Sequence, residues 1–149
     1  MKFDCILVPT DFSDDASRAL ETAIQLAKLQ SGRIVLLHAY PIDLPITYPG
    51  FSGGALVPDE FYRELRTQAD AHVAQAAQEA ARSGVSVTGK AVTSPASAAI
   101  IAEAEHLPAD LIVMGTRGRT GLKHILLGSV AERVVREAPC PVLTVKAEH

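Results

Sequence analysis

The chain has little cysteine, and its two thiols are badly placed for chemistry. Cys5 and Cys140 lie far apart and form no CxxC pair, which argues against a zinc or dithiol redox motif. Both flank apolar, strand-like runs, so both are expected as buried free thiols. Positive charge is also scarce: the formal net charge is −3 and the isoelectric point about 5.9. A binder of nucleic acid or of an anionic membrane needs a broad basic face, so neither partner is expected. Long hydrophobic runs are missing too. The opening run Cys5-Ile6-Leu7-Val8 stops at Pro9, too short for an export signal or a membrane span. The expectation is a cytoplasmic protein with no membrane partner.

Familiar catalytic signatures are equally scarce. No G-x4-G-K-[ST] and no G-x-G-x-x-G can be aligned in the glycine-rich part of the chain. No serine is presented in a nucleophile-elbow context, because Gly50-Phe51-Ser52-Gly53-Gly54 falls in the proline- and glycine-rich stretch 41–58 and not between a strand and a helix. The histidines (His38, His72, His106, His124 and His149) form no catalytic set. His38 reads as a near-core residue at a strand end. With no P-loop lysine and no evident water-positioning base, any phosphoryl transfer is expected to be slow. No metal-ligand cluster is expected.

What remains is ordinary globular material: 149 residues, 48% hydrophobic and 21% charged, enough for one domain over 1–149 with a full core. Aliphatic runs alternate with helical patterns. After the first run, Ser13 reads as an N-cap. Ala16, Ala19, Leu20, Ala23, Ile24 and Ala27 then follow at helical spacing, with Gly32 ending the helix. Ile34-Val35-Leu36-Leu37 is a second strand leading to His38-Ala39-Tyr40. Prolines and glycines then exclude regular structure over 41–58, a loop long enough to be functional. A helix over Phe61–Ala80 ends near Gly84, and Val85–Val92 alternates like a strand near a sheet edge. Ser94-Pro95 opens a third helix, with Pro95 at its first position, and Pro108 stops it. Asp110–Met114 is the fourth strand, about Ser129–Glu137 the last helix, and Val142–Val145 the fifth strand. Continuous aliphatic strands are buried on both faces. The pattern therefore predicts a doubly wound five-stranded parallel sheet with helices on both faces. Ligands bind such sheets beyond the carboxyl ends of the strands, where the winding reverses. The tips that matter are Pro9-Thr10-Asp11, His38-Ala39-Tyr40 and Met114-Gly115.

One stretch stands out: MGTRGRTGLKHILLGSVAERVV, Met114 to Val135. Its glycines follow the spacing Gly115, two residues, Gly118, nine residues, Gly128, then Ser129, and Arg117, Arg119 and Lys123 add local positive charge. Two readings stand at this point. Glycines let backbone amides approach an anion closely, and Ser129 at a helix N-terminus favours phosphate. Alternatively, Gly118 and Gly121 only shape a turn and Ser129 only caps a helix. Arg117 and Arg119 are either phosphate partners or solvated loop charges, while Lys123 and Arg133 read as surface residues. Asp11 is either an indirect Mg²⁺ ligand or a cap competing with Ser13.

ILVPTDFSDDASRAL, IVLLHAY and ADLIVMGTRGRTGLKHILLGSVAERVVREAPCPVLTVK together make the whole chain resemble the universal stress protein family. The G-x2-G-x9-G-[ST] spacing is similar to that of its ATP-binding branch. The resemblance implies a Rossmann-like fold of the adenine nucleotide alpha-hydrolase type, with ATP, with or without Mg²⁺, as the cofactor. It implies Asp11 beside the adenine or ribose, walled by Pro9 and Thr10, and the Ala39 backbone against the adenine. Met114 and Gly115 would flank the ribose, and Gly118, Gly128, Ser129 and Val130 the phosphates, with Arg117 as a further candidate. It also implies a homodimer paired through strand 142–145, which would otherwise be an apolar edge. The function expected is a nucleotide-dependent regulatory or stress-survival module that binds rather than turns over. The rivals are a slow Mg-dependent ATPase or phosphotransferase, and a nucleotide-free dimeric interaction protein.

Overall fold

The computed structural model describes residues 1–41, 58–118 and 127–146. Expectations for 42–57, Arg119, Gly121, Lys123, His124 and His149 lie outside the described residues.

The elements run β1 (Cys5–Pro9), α1 (Asp14–Gln30), β2 (Arg33–Ala39), α2 (Asp59–Ala81), β3 (Ser86–Val92), α3 (Ala96–His106), β4 (Leu111–Gly115), α4 (Ser129–Glu137) and β5 (Val142–Val145). They form one five-stranded sheet in the order β3-β2-β1-β4-β5, parallel throughout. The chain winds outward from β1 through β2 to β3, then returns to lay β4 and β5 on the other side. The switch point is therefore the crevice between β1 and β4. As the alternation in its sequence predicts, β3 is an edge strand; β5 is the other edge.

Strand periodicity divides the core into two layers. Cys5 and Leu7, Val35 and Leu37, Ile112 and Met114 face α3 and α4, meeting Ala99, Ile100, Ala104, Ala131 and Val134. Their neighbours Ile6 and Val8, Ile34 and Leu36, Leu111 and Val113 face α1 and α2, meeting Ala19, Ala23, Ala27, Val73 and Ala77. Each fully buried aliphatic side chain contributes about 1.5–3 kcal/mol. The alanine stripe of α1 lets that helix lie close to the sheet.

The helix ends follow the expected chemistry with two shifts. Ser13 is the N-cap of α1, its hydroxyl accepting from the Ala16 amide. The left-handed residue closing α1 is Ser31 (φ 56°), not Gly32. Gly32 is required for another reason: a Cβ there would run into the Phe3 carbonyl oxygen, so it marks the close approach of the β2 entry to the β1 entry. Pro95 is the cap residue of α3, one position before the first helical residue. The α4 cap is Gly128, which leaves Ser129 as the first helical residue. Cys5 is buried and Cys140 half-buried, both as free thiols; burial pushes both thiols up in pKa.

Candidate functional site

The carboxyl ends of β1, β2 and β4 and the start of α4 enclose a cavity of about 200 Å³. From β1 and its exit come Pro9, Thr10 and Asp11, and from β2 Ala39. Met114, Gly115, Arg117 and Gly118 follow β4, and Gly128, Ser129 and Val130 enter α4. The fold thus brings these eleven residues, which lie far apart in the sequence, to one place. Ala16, Leu37, Ala96, Ile100, Thr116 and Ala131 complete the wall. None of these six carries a recognisable chemical signal in the sequence.

The β1 exit is held by its own polar atoms. The Thr10 amide donates to the Leu37 carbonyl at 2.8 Å, extending the ladder by one bond. The Thr10 hydroxyl accepts from the Phe12 amide, and the Asp11 Oδ1 from the Ser13 amide, each at 3.0 Å. Asp11 is therefore not the helix cap; it braces the residue that is. Phe12 takes a left-handed conformation (φ 61°), rare for a bulky residue. Its ring stacks on His72 with centroids 3.7 Å apart and tilts against His38 at 4.7 Å. The His38 Nδ1 lies 2.9 Å from the Thr10 carbonyl oxygen, matching its reading as a satisfied histidine at a strand end.

The glycine segment is held by a residue that the sequence did not single out. Asp15, buried in the first turn of α1, uses its Oδ2 to accept from the Thr116 hydroxyl (3.1 Å), the Arg117 amide (3.1 Å) and the Arg117 Nε (3.4 Å). The Arg117 and Asp15 side chains are only 9% and 7% exposed. Arg117 is thus no solvated loop charge. Gly115 makes this possible, because a Cβ there would lie 2.8 Å from the Asp15 Cβ and 2.9 Å from its carbonyl carbon. Local patterning could not show this contact, since it joins positions 101 and 102 residues apart.

Gly118 and Gly128 differ in role. A Cβ at Gly118 would meet the Asp11 Oδ2 at 2.7 Å, so the segment passes directly beneath that carboxylate. The Gly128 amide donates to the Thr116 carbonyl at 2.7 Å. That N–H thus has a partner inside the protein. The first intrahelical donor of α4 is Glu132, 2.9 Å from the Gly128 carbonyl. The amides of Ser129, Val130 and Ala131 precede it, at the positive end of the helix dipole and at the cavity wall. Arg133 pairs with Glu137 and also donates to the Ser97 hydroxyl of α3 at 3.4 Å, and it does not line the cavity. Among the described residues, no group of three or more His, Cys, Asp or Glu could hold a metal ion, and no helix is long and apolar enough to cross a membrane.

A parallel α/β domain with a cavity at its switch point, floored by a glycine segment and a helix start, is a small-molecule binding architecture. The chain belongs to the universal stress protein family, whose model matches residues 2–146. Universal stress protein MJ0531 of Methanocaldococcus jannaschii is 38% identical over 141 residues, 95% of this chain and 81% of that protein. The solved structure of MJ0577, from the same organism, has a TM-score of 0.79 at 29% identity, covering 100% of this chain and 99% of that one. A universal stress protein solved in complex with cAMP has a TM-score of 0.66 at 26% identity, covering 99% and 100%.

Proposed function

We propose that this chain is an ATP-binding universal stress protein that acts by holding the nucleotide, without rapid turnover. The observation that carries the reading is convergence. Residues from five separate stretches of sequence line one cavity at the switch point, and a relative of 26% identity was solved with an adenine nucleotide, cAMP. The apolar wall of Pro9, Leu37 and Ala39 suits the base, and Asp11, Met114 and Gly115 the ribose. The Gly118, Ser129 and Val130 amides and the Ser129 hydroxyl suit phosphate oxygens. Gly128 serves by shape and Arg117 by its bond to Asp15. The cavity is smaller than the roughly 300–1,000 Å³ that encloses a drug-sized ligand, so base and sugar occupy it and the phosphates follow its rim. With Mg²⁺ present, Asp11 is the carboxylate placed to reach the ion through water.

The same reading takes the protein as a cytoplasmic homodimer paired through β5. That strand is a sheet edge, and Leu143 on it and Val135 on α4 are 38% and 50% exposed. Mass spectrometry of small molecules released from denatured protein, with calorimetric titration of ATP and Mg-ATP, tests the binding. Absence of carried nucleotide together with no heat on titration would overturn it. Light scattering after chromatography tests the dimer, and a monomer would refute it.

A further inference from the structure

We infer that Asp15 is the positioning residue of the glycine segment, and that phosphate recognition depends on it through Thr116 and Arg117. The inference rests on the nucleotide reading above. One carboxylate oxygen takes three donors from two consecutive residues. It thereby pins the Thr116 side chain and both the backbone and the side chain of Arg117. Thr116 is a junction. Its hydroxyl goes to Asp15, its amide donates to the Val145 carbonyl at 3.0 Å, and its carbonyl accepts from the Gly128 amide at 2.7 Å. A displacement at Asp15 therefore moves Gly118 on one side and the start of α4 on the other. These are the two sources of amides facing a phosphate. Aligned donors bind a polyanion only if their direction is set beforehand. The base wall, from Pro9, Leu37 and Ala39, stands on β1 and β2 and does not depend on this junction. Asp15 also keeps the Arg117 guanidinium on the segment, so that cation orders the loop rather than meeting the ligand.

The test uses the full chain. In hydrogen exchange without nucleotide, Asp15→Ala is expected to speed exchange at the Arg117 and Gly128 amides about tenfold or more, with Ile112 to Met114 unchanged. In calorimetry the same variant is expected to lose about tenfold in ATP affinity and to keep adenosine affinity within about twofold. Asp15→Asn keeps the shape and an acceptor oxygen without the charge, so it should fall between wild type and Asp15→Ala in both assays. Should Asp15→Ala not fold, Asp15→Asn carries both measurements, and wild-type values in both overturn the inference. Unchanged exchange at Arg117 overturns it, as does an equal loss of ATP and adenosine, the mark of a merely structural ion pair. If wild type binds neither ligand, the nucleotide reading fails, and exchange alone decides the clamp.

Discussion

Of the helices that begin at the carboxyl ends of the strands, α1 and α4 are finished differently. The start of α1 is closed by its own side chains: Ser13 caps it, Asp11 braces Ser13, and Asp14 and Asp15 set negative charge in its first turn. The start of α4 has a glycine cap with no side-chain cap bond, and its first residues line the cavity. An α-helix leaves its first amides without intrahelical partners. A chain that satisfies them from within gains stability, whereas one that leaves them facing a cavity leaves donors there that an anion can use. The difference separates a helix start closed from within from one open to a cavity, although both carry a serine near the first turn.

The sharpest way to break the comparison is Gly115→Val. The new Cβ would enter the space of Asp15, forcing α1 off β4, and should destabilise the fold by about 3 kcal/mol or prevent folding. Denaturant unfolding measures it, and a loss within about 0.5 kcal/mol would refute the close approach. A matched pair comes next. Ser13→Ala should lower stability by about 1 kcal/mol and leave ATP affinity unchanged. Ser129→Ala should leave stability within about 0.5 kcal/mol and lower ATP affinity about fivefold. If both serines affect the same quantity, the two helix starts are not different in kind.

The smallest effect concerns the opposite end of the sheet. Cys5 opens β1 and Cys140 precedes β5, away from the cavity. Burial raises both thiols, so at pH 8 native protein should react slowly with a thiol reagent and fully once denatured. The sign for stability follows. A folded pKa above the unfolded value stabilises below about pH 8.5, and that contribution is lost as pH climbs through the folded value. Melting temperature against pH should therefore fall on the alkaline side, less steeply in Cys5→Ala. Fast labelling of the native protein at pH 8 would contradict the burial argument.

Much of the molecule was legible because its signals are local. Aliphatic runs such as Ile34–Leu37 and the alanine spacing of α1 report strand and helix through period alone. The spacing from Gly115 to Ser129 reports one segment. Residues whose meaning comes from a distant partner were not legible. Asp15 reads in sequence as an ordinary acid in a first helical turn, because Thr116 and Arg117 lie a hundred positions on. Gly32 reads as a helix terminator until the Phe3 carbonyl is seen against it. The charge of Arg117 reads as available until its carboxylate partner is found.

The alternation of strands and helices, the burial of both sheet faces and the identity of the glycine segment were already written in residue order, since each depends on neighbours a few positions apart. The strand order, the meeting of β1, β2, β4 and α4 around one cavity, and the division of the glycines were decided by packing. In that division Gly115 accommodates α1, Gly118 passes under Asp11, and Gly128 closes onto Thr116. Such contacts are fixed by close-packed volume and by buried polar atoms that need partners, and neither requirement respects distance along the chain.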